Sequence, residues 1–186
     1  MMQGHDDTKL RRIRTADLTE PEVHAIREIL WAAFIGEEAM TEEDWQHSAG
    51  GVHILLEQSG RTVAHASVVE RDIRVARRPY RTGYVEAVAV EPSWQRRGLG
   101  TRLMAEVADV VREGFELGAL GTGTPEFYER LGWRRWRGPT FVRTSAGDIR
   151  TAEDDGGILV LETPTTPLPL DLDAPITCDW RPGDVW

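Results

Sequence analysis

The stretch that most constrains this chain of 186 residues runs from Gly83 to Met104. It opens with an apolar run that ends at Pro92 and closes with helix-forming residues, and between them lies the turn Gln95-Arg96-Arg97-Gly98-Leu99-Gly100. Glycine lets a backbone turn sharply and approach a ligand closely. The free N–H groups and the dipole of a helix start favour an anion. The stretch therefore predicts a strand, a phosphate-sized turn and a helix.

This turn resembles the Q/R-x-x-G-x-G/A signature of the GCN5-related N-acetyltransferases, whose backbone amides hold the pyrophosphate of acetyl coenzyme A. The competing nucleotide motifs are missing, since the turn has neither a Gly-Lys-Ser/Thr ending nor G-x-G-x-x-G. The resemblance implies that the strand splays from its neighbour and that its unpaired amides bind the pantetheine arm as an extra strand. The implied coenzyme-binding residues are Ala87, Val88, Ala89 and Val90 on the strand, and Gln95, Arg96, Arg97, Gly98, Leu99, Gly100 and Thr101 at the turn and helix start.

Composition limits the partners and the compartment. The chain length indicates one domain, 1–186, and the net charge of −9 argues against nucleic-acid and anionic-membrane partners. An acidic protein suits a polycationic ligand, although the same charge can simply keep a protein in solution. The single Cys178 excludes an intramolecular disulfide, and residues 1–14 lack the apolar core of a signal peptide. We therefore expect a cytoplasmic protein.

The order of elements predicts an α/β fold with a mixed, mostly antiparallel central sheet flanked by helices. Capping boxes at Thr19 and Thr41 predict two helix starts, and Ser59-Gly60 predicts a hairpin turn. We expect residues 1–8 to be flexible, 163–175 to be irregular, and the aromatic tail, 176–186, to pack back on the domain. Strands are predicted at 9–15, 52–57, 63–69, 71–75, 85–90, 117–120, 133–136, 140–144 and 157–162, with a turn at Arg77-Arg78-Pro79 before the central strand, and helices at 20–36, after 41, at 100–113 and through 128.

Two residues of the chain could carry proton transfer. Glu86 lies within an apolar strand, where a carboxylate is costly unless it is paired or faces a wet cleft. It is therefore either the partner of an arginine on a neighbouring strand or a general base with a raised pKa. Tyr128 is either an ordinary core residue or a phenol that protonates a leaving thiolate.

No metal is predicted, because histidines 5, 24, 47, 53 and 65 show no ligand spacing and paired cysteines do not occur. The tryptophans at 31, 45, 94, 133 and 136 are interpreted as packing residues. Carboxylates crowd the segment from Glu37 to Asp44. They either cap a short helix or form an acidic rim for a cationic substrate.

The chain also resembles, almost end to end, the aminoglycoside 2′-N-acetyltransferases known from mycobacteria and some other bacteria. The resemblance is carried by the blocks D-W-Q-H-S-A-G-G-V-H, G-Y-V-E-A-V-A-V and L-G-W-R-R-W-R-G-P-T and by the ending C-D-W-R-P-G-D-V-W. It implies a homodimer that acetylates the 2′-amine of a polycationic aminosugar, with Glu86 as general base through water and Tyr128 as general acid. The implied substrate contacts are Glu37, Asp44, Glu86, Asp154, Asp184 and Trp186.

Two alternatives remain open at the level of sequence. The same chemistry could serve a cell-wall amino sugar or another polyamine as the natural acceptor. The fold could instead serve a module that binds the coenzyme or sequesters the antibiotic without turnover.

Overall fold

The computed structural model describes residues 8–36 and 39–186, so the prediction of a flexible segment at 1–8 falls, except for Thr8, outside the described residues. In these ranges a ten-stranded sheet is flanked by four α-helices. The helices are α1 Glu20–Ala33, α2 Glu42–Ser48, α3 Leu99–Gly114 and α4 Pro125–Glu129. The strands are β1 Thr8–Arg14, β2 Val52–Gln58, β3 Arg61–Val75, β4 Arg78–Val90, β5 Leu117–Gly121, β6 Arg134–Arg135, β7 Thr140–Thr144, β8 Gly147–Arg150, β9 Ile158–Glu162 and β10 Ile176–Asp179.

The sheet is mixed and mostly antiparallel, which confirms the predicted fold class. The strand order is β6-β9-β5-β4-β3-β10-β7-β8, and β2 joins β3 and carries β1 at its other side. The two parallel pairs are β4 with β5 and β7 with β10. The β4–α3–β5 segment is thus a crossover connection, which places the predicted anion-binding turn at the carboxyl end of the central strand.

Both predicted capping boxes form. The Glu22 carboxylate accepts hydrogen bonds from the backbone N–H and the hydroxyl of Thr19 at 2.8 and 2.7 Å, and these bonds lower the pKa of Glu22 to about 2. Helix α1 ends at Ala33 rather than at the predicted Gly36, because Phe34 already has extended dihedral angles.

The core lies on both faces of the sheet. On one face, α3 buries Leu103, Met104, Val107 and Val111 against the hairpin and the central strand. Each such side chain contributes about 1.5–3 kcal/mol when it leaves water. On the other face, Trp136 and Trp186 pack with Tyr84 and the residues of β9 and β10.

Of the tryptophans interpreted as packing residues, Trp45, Trp133 and Trp136 are buried and Trp94 packs against the core in part. Trp31 differs, because 38% of its surface is exposed and the Arg27 guanidinium stacks 4.7 Å from its ring.

Three features of the sheet differ from the predictions. The turn before β4 does not include Arg78 and Pro79, which already belong to the strand; Ala76, at φ +54°, makes the turn. Strand β8 was not predicted, and neither was β10, which makes the first part of the tail a sheet strand between β3 and β7. The β10 pairings join residues more than 30 positions apart, so no local pattern could indicate them.

Candidate active site

The central strand opens away from β5 where coenzyme binding was predicted. Only the segment Thr82–Tyr84 pairs with β5, and among the described residues β4 has no β5 partner beyond Tyr84. Along its other edge a bulge sets Ala87 and Val88 opposite one residue of β3, and Ala87 adopts φ +52°. Among the described residues no strand therefore pairs with the edge of residues 87–90 that faces β5, although the Val90 carbonyl accepts from the Gln95 side chain.

The glycine-arginine turn has a left-handed backbone at two of its residues. Arg96 and Gly98 have φ of +59° and +81°, and Gly98 is the N-cap of α3 without a side-chain cap. The Gln95 side-chain amide donates to the Val90 carbonyl at 3.2 Å, and the Arg97 guanidinium stacks 4.6 Å from the Trp94 ring. The first amides of α3, which begins at Leu99 and continues through Gly100 and Thr101, have no acceptor within the helix itself.

Arg102, which was predicted to add charge at the turn, is directed elsewhere. Its guanidinium donates to the Thr8 carbonyl of β1 at 2.7 Å.

Glu86 is buried and ion-paired. Its Oε1 accepts a hydrogen bond from Arg181 Nη1 at 2.5 Å, and both side chains expose less than 15% of their surface. Glu86 does pair with an arginine, but the prediction that this arginine lies on a neighbouring strand is wrong, because Arg181 belongs to the tail. Burial raises the pKa of Glu86, and the charge of Arg181 opposes that rise.

The tail folds back around Arg181. Its Nε donates to the Asp184 carbonyl at 2.7 Å, and its Nη2 donates to the Trp186 oxygen at 3.4 Å. Buried Arg71 of β3 holds the same loop by donating to the Val185 carbonyl at 3.0 Å and to the Asp179 carbonyl at 2.8 Å. Arg181 therefore joins the end of the chain to the central strand β4, and Arg71 joins it to β3.

Three of the predicted substrate contacts meet at the tail. Trp186 is buried, and its indole N–H donates to the Thr151 hydroxyl at 3.0 Å. Asp154 and Asp184 line a cavity of about 410 Å³ that also includes exposed Trp180. Burial and the charge of Asp184 raise the pKa of Asp154, an arrangement that a cationic ligand would relieve.

Asp155, the neighbour of Asp154 in sequence, does not line this cavity. Arg150 pairs with its carboxylate, and the Thr140 backbone N–H and hydroxyl donate to it at 3.1 and 3.0 Å. The charge of the Asp155 carboxylate is therefore balanced by contacts within the protein.

The acidic segment before α2 has a structural role at one predicted contact. The Asp44 carboxylate accepts hydrogen bonds from the Thr41 backbone N–H and hydroxyl at 2.9 and 2.6 Å, as a helix cap does. Helix α2 nevertheless borders the tail, because His47 Nε2 lies 2.8 Å from the Pro182 carbonyl. Glu37, the other predicted contact in this segment, lies outside the described residues.

Tyr128 lies in α4 with its ring against Phe127, at a centroid distance of 4.9 Å. Its hydroxyl forms a hydrogen bond with Thr122, and burial raises the pKa of the phenol to about 12. Thr122 follows Gly121, where an added Cβ would lie 3.3 Å from the Trp186 carbonyl carbon. The end of β5 thus lies between the environment of Tyr128 and the tail that holds Glu86.

Sequence reasoning did not single out Arg181, Arg71 or the pairing of His53 with His65. Arg181 could have been flagged, because it is the cation in the acidic ending C-D-W-R-P-G-D-V-W. The other contacts depend on which strands are neighbours in the sheet.

Comparison with known proteins agrees with this geometry. The profile of the acetyltransferase (GNAT) family matches residues 23–133, more than half of the chain. The chain therefore belongs to the GNAT family of acetyltransferases, enzymes that use acetyl coenzyme A. It is 41% identical over 179 residues to the aminoglycoside 2′-N-acetyltransferase of Mycolicibacterium fortuitum, and the match covers 95% of this chain and 91% of that protein.

Solved structures show the same fold. The GNAT family N-acetyltransferase YhbS from Escherichia coli, in complex with CoA, superposes with a TM-score of 0.64 at 15% identity, covering 94% of this chain and 89% of that one. ElaA from Escherichia coli gives a TM-score of 0.62 at 16% identity, covering 83% and 99%.

Within residues 8–36 and 39–186, no cluster of three or more His, Cys, Asp or Glu side chains could hold a metal ion. No helix in the described part of the chain is long and apolar enough to span a bilayer.

Proposed function

We propose that this acetyltransferase transfers the acetyl group of acetyl coenzyme A to the 2′-amino group of aminoglycoside antibiotics and so confers resistance to them. The observation that carries the proposal is the position of Glu86. This buried carboxylate lies on the central strand, directly before the free edge of residues 87–90. It also contacts the tail whose carboxylates line the neighbouring cavity.

The coenzyme fits the strand edge and the turn. The free edge of Ala87, Val88, Ala89 and Val90 would pair with the pantetheine amides, and the amides from Gly98 to Thr101 would hold the pyrophosphate, with Arg96 and Arg97 adding charge. When bound there, the coenzyme supplies an acetyl group in a reactive thioester.

Glu86 would act as the general base. The acceptor reaches the site as an ammonium ion, and one proton must leave it before its nitrogen lone pair can bond to the acetyl carbon. Glu86 takes this proton through a water molecule, and the raised pKa of the buried carboxyl improves it as a base. Arg181 keeps the carboxylate ionised in spite of its burial.

Tyr128 would act as the general acid. As the nitrogen–carbon bond forms, the carbon–sulfur bond breaks and the electron pair remains on sulfur. The phenol, which its pKa of about 12 keeps protonated near neutral pH, gives its proton to this thiolate. The acylated nitrogen releases its second proton to solvent as the neutral amide forms, and the phenolate recovers a proton from solvent.

Charge supports the choice of acceptor. An aminoglycoside carries several ammonium groups, and each charge-assisted hydrogen bond to a shielded carboxylate contributes about 1.5–3 kcal/mol. Asp154 and Asp184 line one cavity, the Trp186 oxygen lies beside Arg181 in the tail, and Asp44 and Glu37 belong to the segment that precedes and opens the adjacent α2. These residues would bind the amino groups that do not react.

The test compares two aminoglycosides that differ only in having an amine or a hydroxyl at the 2′ position. The protein is incubated with acetyl coenzyme A and each compound while thiol release is followed, and the products are weighed by mass spectrometry. We expect thiol release and the mass of one added acetyl group only with the 2′-amine. No release with any 2′-amino compound would refute the proposal.

A second comparison addresses the natural acceptor. If a cell-wall amino sugar or a simple polyamine gives a higher kcat/KM than every 2′-amino aminoglycoside, the antibiotic is an incidental substrate.

Two further expectations belong to the proposal, a homodimer and a cytoplasmic location, and they can be measured by analytical ultracentrifugation and by cell fractionation.

A further inference from the structure

Two fully buried histidines lie between the amino-terminal strand and the central strand, and the proposed reaction uses neither. His53 of β2 and His65 of β3 have no exposed surface, and their rings are 5.2 Å apart. His53 Nδ1 lies 2.9 Å from His65 Nε2. At one end of the pair His53 Nε2 lies 2.8 Å from the Thr15 hydroxyl, and at the other His65 Nδ1 lies 2.9 Å from the Ala87 carbonyl.

These contacts define the direction of the hydrogen bonds. A carbonyl only accepts, so His65 Nδ1 must carry the hydrogen that it shares with Ala87. The Nε2 atom of the neutral His65 ring then accepts from His53 Nδ1, and His53 Nε2 accepts the single hydrogen of the Thr15 hydroxyl at 2.8 Å, in preference to the Gly51 carbonyl at 3.2 Å. Thr15 is fixed in turn by the backbone N–H groups of Gly50 and Gly51, which donate to its oxygen at 2.9 and 3.2 Å. All three steps run toward the central strand.

The chain ends at a strained point of the backbone. Ala87 has a φ of +52°, a conformation that a non-glycine residue keeps only where its surroundings enforce it. Because of the bulge, the Ala87 carbonyl does not pair in the regular ladder with β3, and it accepts a hydrogen bond from the His65 side chain instead. The preceding carbonyl is satisfied in the same way, since the Ser67 hydroxyl donates to Glu86 at 3.3 Å.

We propose that His65, supported by His53 and Thr15, is a positioning residue that holds the bulge at Ala87 in the conformation that coenzyme binding requires. The bulge is where β4 leaves its regular pairing, just beyond Tyr84, the last residue that pairs with β5. A rotation of the Ala87 peptide would turn the following amides away from the gap. It would also move the neighbouring Glu86, and this second effect rests on the proposed function.

A purely structural role makes a different prediction. If the histidines only filled the core, the coenzyme affinity of each variant would depend only on how much of the protein's stability that variant retains. Any side chain of similar volume would then do. A positioning role depends on one donor at one place, because only a hydrogen at the Nδ1 position can satisfy the Ala87 carbonyl.

Two amide substitutions of His65 separate these roles. In His65→Asn the side-chain amide stands at the Nδ1 position and can donate to Ala87, whereas in His65→Gln it stands at the Nε2 position and cannot. Coenzyme A affinity is measured by calorimetry without an acceptor, and thermal unfolding is followed in parallel. We expect His65→Asn to bind within about 3-fold of the natural protein and His65→Gln about 10-fold more weakly, the size of one lost hydrogen bond with a displaced backbone.

The outcome that overturns the proposal is equal coenzyme affinity of the two variants, or affinities that follow only their unfolding temperatures. Because coenzyme binding needs no aminoglycoside, a protein with another acceptor still gives a valid result. A measurement on the natural protein covers the case in which a variant does not fold. Nitrogen-15 spectra of the histidine rings should show hydrogen on Nδ1 of both His53 and His65 at neutral pH, and hydrogen on Nε2 of His65 would contradict the assignment.

Discussion

Replacing Arg181 by methionine is the sharpest test of how this site operates. The change keeps most of the side chain's length and removes the charge that lies 2.5 Å from the Glu86 carboxylate. Both groups are shielded from water, so solvent screens their interaction only in part. Activity requires ionised Glu86 and falls as the pH drops through its pKa. Without Arg181 the carboxylate protonates more readily, and the fall in activity moves to higher pH.

The magnitude follows from the geometry. Charge centres about 4 Å apart interact by about 4 kcal/mol at an effective dielectric constant of about 20. This energy corresponds to a shift of at most about 3 pH units in the titration of the carboxylate. Ion pairs of this kind in proteins shift carboxyl titrations by about 1–3 pH units. Arg71 remains nearby and continues to favour the charged carboxylate, while Asp184 opposes it. We therefore expect the acidic limb to move upward by about 1–2 pH units.

The assay is the pH dependence of kcat/KM for a 2′-amino aminoglycoside between pH 5 and 9. Arg181→Lys keeps the charge and should leave the limb within about half a pH unit of its natural position. Arg137→Met is the matched control, since it removes an exposed arginine that pairs with Asp173 far along the chain. An acidic limb that stays in place in Arg181→Met would refute the role of this ion pair, even if the overall rate fell.

Three further predictions concern the proposed catalytic pair, the tail and the buried histidines. Glu86→Gln and Tyr128→Phe should each lower kcat by about 10²–10⁴-fold, as lost general bases and acids do, with coenzyme affinity changed little in calorimetry. Deleting Asp184–Trp186 should weaken aminoglycoside binding more than coenzyme binding, because it removes carboxylates from one ligand's cavity only. Burial lowers the pKa of His53 from 6.5 to about 4 and of His65 to about 3, so the unfolded chain binds more protons below about pH 6.5. Their contribution to stability is therefore complete above pH 6.5 and is lost as the pH falls toward 3, which denaturant titrations between pH 7 and 5 can measure.

Each of these predictions has a contrary outcome. Coenzyme binding that falls in parallel with kcat in Tyr128→Phe would show that the phenol serves the core instead of the leaving group. Equal loss of both ligands after truncation would make the tail a structural element, consistent with the burial of Trp186. Stability that decreases between pH 7 and 5 to the same extent in His65→Asn as in the natural protein would exclude His65 as the titrating group.

Local sequence predicted most of the elements, because the signals that start and stop them act over a few residues. The capping boxes at Thr19 and Thr41 formed as expected, as did the hairpin turn at Ser59-Gly60. The turn at Gln95–Gly100 was predicted in its backbone form, since only a positive φ at Gly98 brings the chain into α3. Strand β10 was not predicted, because both of its neighbours are distant in sequence.

The site was predicted residue by residue but not as a set of contacts. Glu86 was recognised as an anomaly because a carboxylate in an apolar strand needs a partner, and the partner proved to be Arg181, 95 positions away. Asp44, a proposed substrate contact, also accepts hydrogen bonds from Thr41 at the start of α2, a contact that the sequence predicted as a capping box.

The amino-acid sequence by itself determined the family and the order of strand, turn and helix around Gln95–Gly100, and it singled out Glu86 and Tyr128 as the proposed groups for proton transfer. These follow from the composition and spacing of neighbouring residues. The tertiary structure alone decided which charges remain free for a ligand, which arginine holds Glu86, and how two histidines reach the bulge at Ala87. Pairings of this kind depend on strand order and register, and a single step in register would turn every one of those side chains to the opposite face of the sheet.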